Sequence, residues 1–211
     1  MRPDRSLTHD SLTRGIRFLT QHDPDLAEVV EQYGPPPLWA RRPGFATLVH
    51  IILEQQVSLA SARAAFGRLQ AALKPITPRR LLTLSDAQLK RIGFSRQKTE
   101  YARHLAQAIV DQRFDLRTLA TLPDEAVRES LIQLKGIGHW SADIYLLMCL
   151  RRPDVWPHGD LALATSAHKV KRLVTRPTYA ELDALAEQWR PWRAVAARIL
   201  WQAYLSERRR G

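Results

Sequence analysis

One cysteine, Cys149, is all that 211 residues contain, so an internal disulfide is excluded and the chain suits a reducing compartment. The seven histidines include no pair at a metal-ligand spacing, and with a lone cysteine neither a zinc site nor an iron–sulfur cluster is supported. Long apolar runs are missing as well. The longest, Phe45 to Leu53, is interrupted by His50 and closed by Glu54, well short of a membrane span. The opening MRPDRSLTHD lacks the apolar stretch and small-residue cleavage site of a secretory signal. There is no internal repeat and no low-complexity block. Apolar residues still make up 45% of the chain, enough for a substantial core, so a soluble chain with no membrane association is expected.

Acidic residues are also scarce relative to basic ones: 21 Asp and Glu face 32 Lys and Arg, a formal charge of +11. A polyanion is the natural partner for such a chain, although solvated helix faces or a membrane surface would draw on the same charge.

What is present is helix punctuation. Asp23-Pro24 reads as an N-cap and first helical residue, with Gly34 closing the segment and prolines 35 to 37 forming a stiff connector. Phe45–Val57 and Ser58–Leu73 read as two helices, the first almost wholly apolar and therefore central. Thr77-Pro78 opens the next, Ser85 with Gln88 makes a capping box, and an amphipathic run follows Ser95 to about Phe114. Pro123–Leu134 meets the pair Gly136 and Gly138, and a further helical run, His139–Leu150, starts at once. A proline-bearing loop leads to Asp160, helical propensity resumes to about Val174, Thr178 with Glu181 forms another capping box, and Pro191 restarts a last helix to about Glu207. Strand signals do not recur. The fold expected is all-α, with about ten helices.

Gly-Ile-Gly between two helices leaves room only for a tight reversal, which glycine permits. Read from spacing alone, it is either a connector or a helix start whose free amides can approach a phosphate. The surrounding residues, Leu134-Lys135-Gly136-Ile137-Gly138-His139-Trp140-Ser141-Ala142, resemble the helix-hairpin-helix of the DNA glycosylase superfamily named for that motif, a Gly/Pro-rich loop and an aspartate. Asp154-Val155-Trp156-Pro157-His158-Gly159-Asp160-Leu161-Ala162-Leu163 resembles its second half. Ile51-Ile52-Leu53-Glu54-Gln55-Gln56-Val57-Ser58, and Trp189-Arg190-Pro191-Trp192-Arg193 with Ile199-Leu200-Trp201, are similar to the DNA-3-methyladenine glycosylase II branch. Gly93-Phe94-Ser95 with Lys98 also matches, and the resemblance covers residues 36 to 205.

The resemblance implies a two-lobed helical bundle with a DNA-binding cleft. Segments of about 1–45 and 140–211 would share one lobe and 46–139 would form the other, without the N-terminal α/β domain of the larger bacterial members. It implies a monofunctional hydrolase of base-excision repair that removes alkylated purines from double-stranded DNA, acts as a monomer and, in a bacterium, works in the cytoplasm on the nucleoid. Asp160 would be the catalytic carboxylate, although spacing alone makes it a helix N-cap. Trp140, Trp201 and Gln202 would line the base pocket, where aromatic faces suit a flipped cationic base, while tryptophans at helical spacing otherwise read as core. Gln56 would be the wedge that fills the vacated stack. Lys135, Gly136, Gly138 and His139 would meet the DNA backbone. The carbonyls of Ile132, Leu134 and Ile137 would hold a structural Na+ or K+, with no other cofactor required.

Two positions depart from the family pattern. Gln202 replaces a common tyrosine, and Gly159 replaces a second acid beside Asp160. Two other functions remain open: a bifunctional glycosylase and lyase, whose relatives place lysine where Trp140 stands, and a non-catalytic hairpin module that grips DNA.

Overall fold

The computed structural model describes residues 5–210, all but the last two with their side chains, and no strand occurs among them. Twelve α-helices follow one another: α1 His9–His22, α2 Pro24–Tyr33, α3 Phe45–Glu54, α4 Leu59–Ala72, α5 Pro78–Leu82, α6 Asp86–Ile92, α7 Arg96–Val110, α8 Asp124–Ile132, α9 His139–Ile144, α10 Leu161–Val170, α11 Tyr179–Ala186 and α12 Arg193–Arg210. Side chains at the expected places start many of them. Asp23, Ser58, Thr77, Ser85, Ser95, Asp160 and Thr178 each accept from a backbone amide of the helix they precede.

Helix α1 is absent from the sequence reading. It is capped by Thr8 and Ser11, a reciprocal box built with serine at the third position instead of Glu or Gln, and it buries Leu12, Gly15 and Leu19. Helix α3 stops at Glu54, short of Val57, because Gln55 is extended (φ −59°, ψ 126°) and Gln56 is left-handed (φ 55°). The expected run from His139 to Leu150 changes character midway, α9 giving way to a five-residue π turn, Tyr145–Cys149. The last helix starts at Arg193, after a short 3₁₀ turn at Glu187–Trp189.

Internal contacts divide the chain into two units. One comprises the residues up to Ala40 and those from Leu146 onward; the other is the continuous stretch Arg41–Tyr145. The crossings at 40/41 and 145/146 differ from the expected 45 and 140, so α9 and Trp140 belong with the hairpin in the continuous unit.

In the discontinuous unit α12 is the central element, packed against α1, α2 and α10. Its run Ala194–Ala197 is fully buried, small side chains letting neighbours approach closely. Gly15 of α1 shows how closely: a Cβ there would meet the Trp192 ring at 2.7 Å. Buried Asp23 ties the two chain segments together, accepting from Lys171 Nζ at 2.9 Å and from Trp189 Nε1 at 2.8 Å while capping α2. In the continuous unit α3 buries six apolar residues and contacts α4, α7 and α9. That is the central position its composition implies.

Candidate functional site

Asp160 ends the loop that follows the π turn and caps α10, its Oδ1 accepting the Leu163 amide at 2.9 Å. It is 6% exposed. The same oxygen faces the indole Nε1 of Trp201 at 3.3 Å. Ser166 Oγ donates to the Leu200 carbonyl at 2.7 Å, in the core where α10 meets α12, and so fixes the register that brings Asp160 and Trp201 together. An aspartate at this end of a ten-residue helix lies at the positive end of the helix dipole. Gly159, just before it, has φ +76° with open space around it. A second acid at that position would have room and a strained backbone.

The other acid of the loop, Asp154, is engaged in structure. Arg190 Nη1 donates to it at 2.7 Å and Arg193 Nε at 3.0 Å, and Arg193 also reaches its backbone carbonyl at 2.8 Å. This clamp secures the Trp189–Arg193 segment, whose Trp189 and Trp192 are buried. Gln202 does not join Asp160 and Trp201 as expected. One residue further along α12 turns it about 100° away, and its amide donates to the Tyr33 carbonyl at 3.1 Å, anchoring the end of α2.

In the continuous unit the hairpin closes through two bonds, Leu134 N to Leu131 O at 3.1 Å and Ile137 N to Leu134 O at 3.0 Å. Its two glycines have different duties. Gly136, at φ +85°, lies against the Tyr101 ring, and a Cβ there would come within 2.1 Å of it. Gly136 is therefore required by packing against Tyr101. Gly138 is exposed with nothing near its Cβ direction, and no side chain caps α9 behind it. Its surroundings leave the first amides of α9 approachable. His139 is exposed and Trp140 half-buried. Lys135 is paired with Glu100 at 2.5 Å, which raises the lysine above its ordinary range and lowers the glutamate. The pair is exposed, so exchange of the glutamate for a phosphate is inexpensive.

The expected wedge, Gln56, is exposed at the tip of the α3–α4 turn. Sequence reasoning passed over its neighbour. Gln55 Nε2 donates to the Gly136 carbonyl at 2.8 Å and faces Ser141 Oγ at 2.9 Å, fastening the turn to both arms of the hairpin. Lys98 Nζ donates to the Leu53 carbonyl at 2.7 Å and so closes the end of α3; burial pushes this amine below its usual range. The only signal for the role of Gln55 in the sequence is a repeated amide at a helix end, which does not say which Gln turns inward; Lys98 is marked by the family resemblance but not for this bond.

The expected site residues thus form two groups, Asp160 with Trp201 in one unit, and Gln56, Trp140 and the hairpin in the other.

Known proteins carry the same pattern. A family model described as HhH-GPD superfamily base excision DNA repair protein matches residues 49–191. DNA-3-methyladenine glycosylase 1 of Schizosaccharomyces pombe is 27% identical over 199 residues, 91% of this chain and 87% of the relative. The solved structure of the S. pombe enzyme Mag1 in complex with abasic DNA shares the fold, with a TM-score of 0.81, 24% identity, and coverage of 89% of this chain and 95% of that one. A DNA-3-methyladenine glycosidase structure from Bacillus halodurans superposes with a TM-score of 0.70 at 29% identity, covering 98% of this chain and 95% of that one. The match spans both the hairpin and the Asp160 loop, and the chain belongs to the HhH-GPD superfamily of base excision DNA repair proteins.

Proposed function

We propose that this protein is a monofunctional DNA glycosylase that hydrolyses the N-glycosidic bond of alkylated purines, of the 3-methyladenine and 7-methylguanine type, in duplex DNA. The observation that carries the reading is the buried carboxylate of Asp160 at a helix N-terminus, beside the Trp201 indole, with Asp154 committed to two arginines. Two relatives named as 3-methyladenine enzymes, from S. pombe and B. halodurans, point the same way.

The chemistry needs one ionised carboxylate. As the C1′–N bond breaks, the sugar gains oxocarbenium character, which a fixed negative charge stabilises and which water, oriented by the same oxygen, then captures. The base departs with the bonding electron pair, and alkylation at N3 or N7 has already made it a cation, so it leaves neutral without a second acid. Gly138 and the first amides of α9 would meet a DNA phosphate, and the +11 charge would draw the duplex in. Gln56 would fill the stack vacated by the flipped nucleotide. The carbonyls of Ile132, Leu134 and Ile137, neutral oxygens at the negative end of α8 and in the hairpin, suit a monovalent cation that would add positive charge towards that phosphate. The protein would act as a monomer and, in a bacterium, on the nucleoid.

The test is to incubate the protein with methylated duplex DNA and identify the released bases chromatographically. Free alkylpurine with a strand that breaks only in alkali is the expected result. Strand breaks without alkali would instead mark a lyase, and no release a non-catalytic binding module.

A further inference from the structure

Two residues upstream of the continuous unit, the chain makes a costly local choice. Trp39 sits at φ 47°, in the left-handed region that bulky side chains rarely enter. Its ring is half-buried and lies edge-to-face against Trp201, centroids 6.5 Å apart and planes at 68°. Such a corner leaves at least one indole face uncovered by the pair, where parallel stacking would consume one face of each ring.

The backbone that presents Trp39 is held from beneath. Arg198 is fully buried and donates to three backbone carbonyls: Leu38 at 3.0 Å, Ala194 at 2.8 Å and Leu147, in the π turn, at 2.8 Å. Burial pushes its guanidinium down to about 9, so it stays charged at neutral pH. Arg198 and Trp201 are three residues apart on one face of α12, and they hold Leu38 and Trp39, adjacent in the chain. The prolines at 35 to 37 stiffen the approach to this segment. A strained aromatic held by a buried cation, next to the indole that reaches Asp160, is more than core packing requires.

We infer that Trp39 is a specificity-determining residue of the base site: with Trp201 it forms an aromatic corner that stacks on a planar, positively charged purine beside Asp160. Arg198 is its positioning residue, acting through the Leu38 carbonyl. The inference rests on the glycosylase reading and adds to it a residue that lies outside the hairpin and aspartate motifs.

Two measurements test it on the full-length protein. In the first, single-turnover release of 7-methylguanine and of hypoxanthine from duplex DNA is compared for wild type, Trp39→Phe and Trp39→Leu, with thermal unfolding as control. Trp39→Leu is expected to slow 7-methylguanine release about tenfold or more, the effect of losing one base-stacking ring, and to slow hypoxanthine release less. Trp39→Phe should stay near wild type. In the second, 7-methylguanosine and guanosine are titrated in mildly acidic buffer while the Trp39 indole N–H resonance, assigned by its loss in Trp39→Phe, is followed by NMR. The methylated nucleoside alone should move it appreciably. If Trp39→Leu releases both bases at wild-type rates, Trp39 is a packing residue and the inference falls, while the glycosylase reading stands. If wild type releases no base yet 7-methylguanosine still moves the Trp39 resonance, the glycosylase reading falls and the aromatic corner stands as a cationic-base site. If neither happens, both fall.

Discussion

Trp201 Nε1 lies 3.3 Å from Asp160 Oδ1, the oxygen that also receives the Leu163 amide at 2.9 Å. One carboxylate oxygen thus takes part in both of these contacts, and neither of the two needs the negative charge. Asparagine can keep both through its amide oxygen.

Asp160→Asn is therefore expected to fold normally, since asparagine caps a helix about as well as aspartate, and to retain duplex binding. Base release should fall about a hundredfold or more, the usual effect of removing a preorganised electrostatic partner. Single-turnover release of 7-methylguanine, with circular dichroism and duplex affinity as controls, measures this. Near-wild-type excision would make Asp160 a helix cap and nothing else.

Trp201→Ala should slow excision of cationic 7-methylguanine more than that of neutral hypoxanthine, because it removes cation–π attraction together with stacking. The ratio of the two single-turnover rates is the readout. An equal loss would assign Trp201 to general packing.

The two hairpin glycines should separate. Gly136→Ala places a Cβ at 2.1 Å from the Tyr101 ring on a left-handed backbone and is expected to destabilise the protein by about 2–4 kcal/mol in urea unfolding. Gly138→Val directs its Cβ into open space and should change stability far less than Gly136→Ala while weakening duplex affinity in fluorescence anisotropy. Unaltered affinity in Gly138→Val would take the hairpin amides out of the DNA interface.

Neighbouring glutamines should part in the same way. Gln55→Ala leaves the Gly136 carbonyl without its side-chain donor and is expected to cost about 1–3 kcal/mol of stability. Gln56→Gly relieves a left-handed backbone at an exposed position, so stability should hold or rise, while base release slows for want of the wedge. Equal unfolding midpoints for the two variants would contradict this division.

Much of the scaffold is legible in the residues because helix starts are local. Asp23, Ser85 and Thr178 announce their helices within four residues, and the apolar α3 announces its central place. Helix α1 is not announced, since its box uses Ser11 where Glu or Gln would be the signal. Of the site, Asp160 is found by motif and lies beside Trp201, also singled out, but Gln202 misleads. Adjacent positions on a helix point in different directions, and only the location of α2 shows that this one faces the Tyr33 carbonyl. Gln55, Trp39 and Arg198 owe their roles to partners 81, 162 and 160 residues away, separations across which spacing carries no information.

The discontinuous unit has a consequence for the order in which the molecule is made. Helices α1 and α2 leave the ribosome before the other described helices, yet the element they pack against, α12, is synthesised after all of these. The continuous unit, Arg41–Tyr145, has all its own contacts in hand well before then. During translation it can therefore close while α1 and α2 still expose Leu12, Leu19, Leu26 and Val29, apolar surface that a chaperone can hold until α12 arrives. Asp23, which waits for Lys171 and Trp189, and Trp39, which waits for Trp201, make the aspartate-bearing unit the late step of biogenesis, so truncated chains ending before α12 would carry a finished hairpin and no assembled carboxylate site.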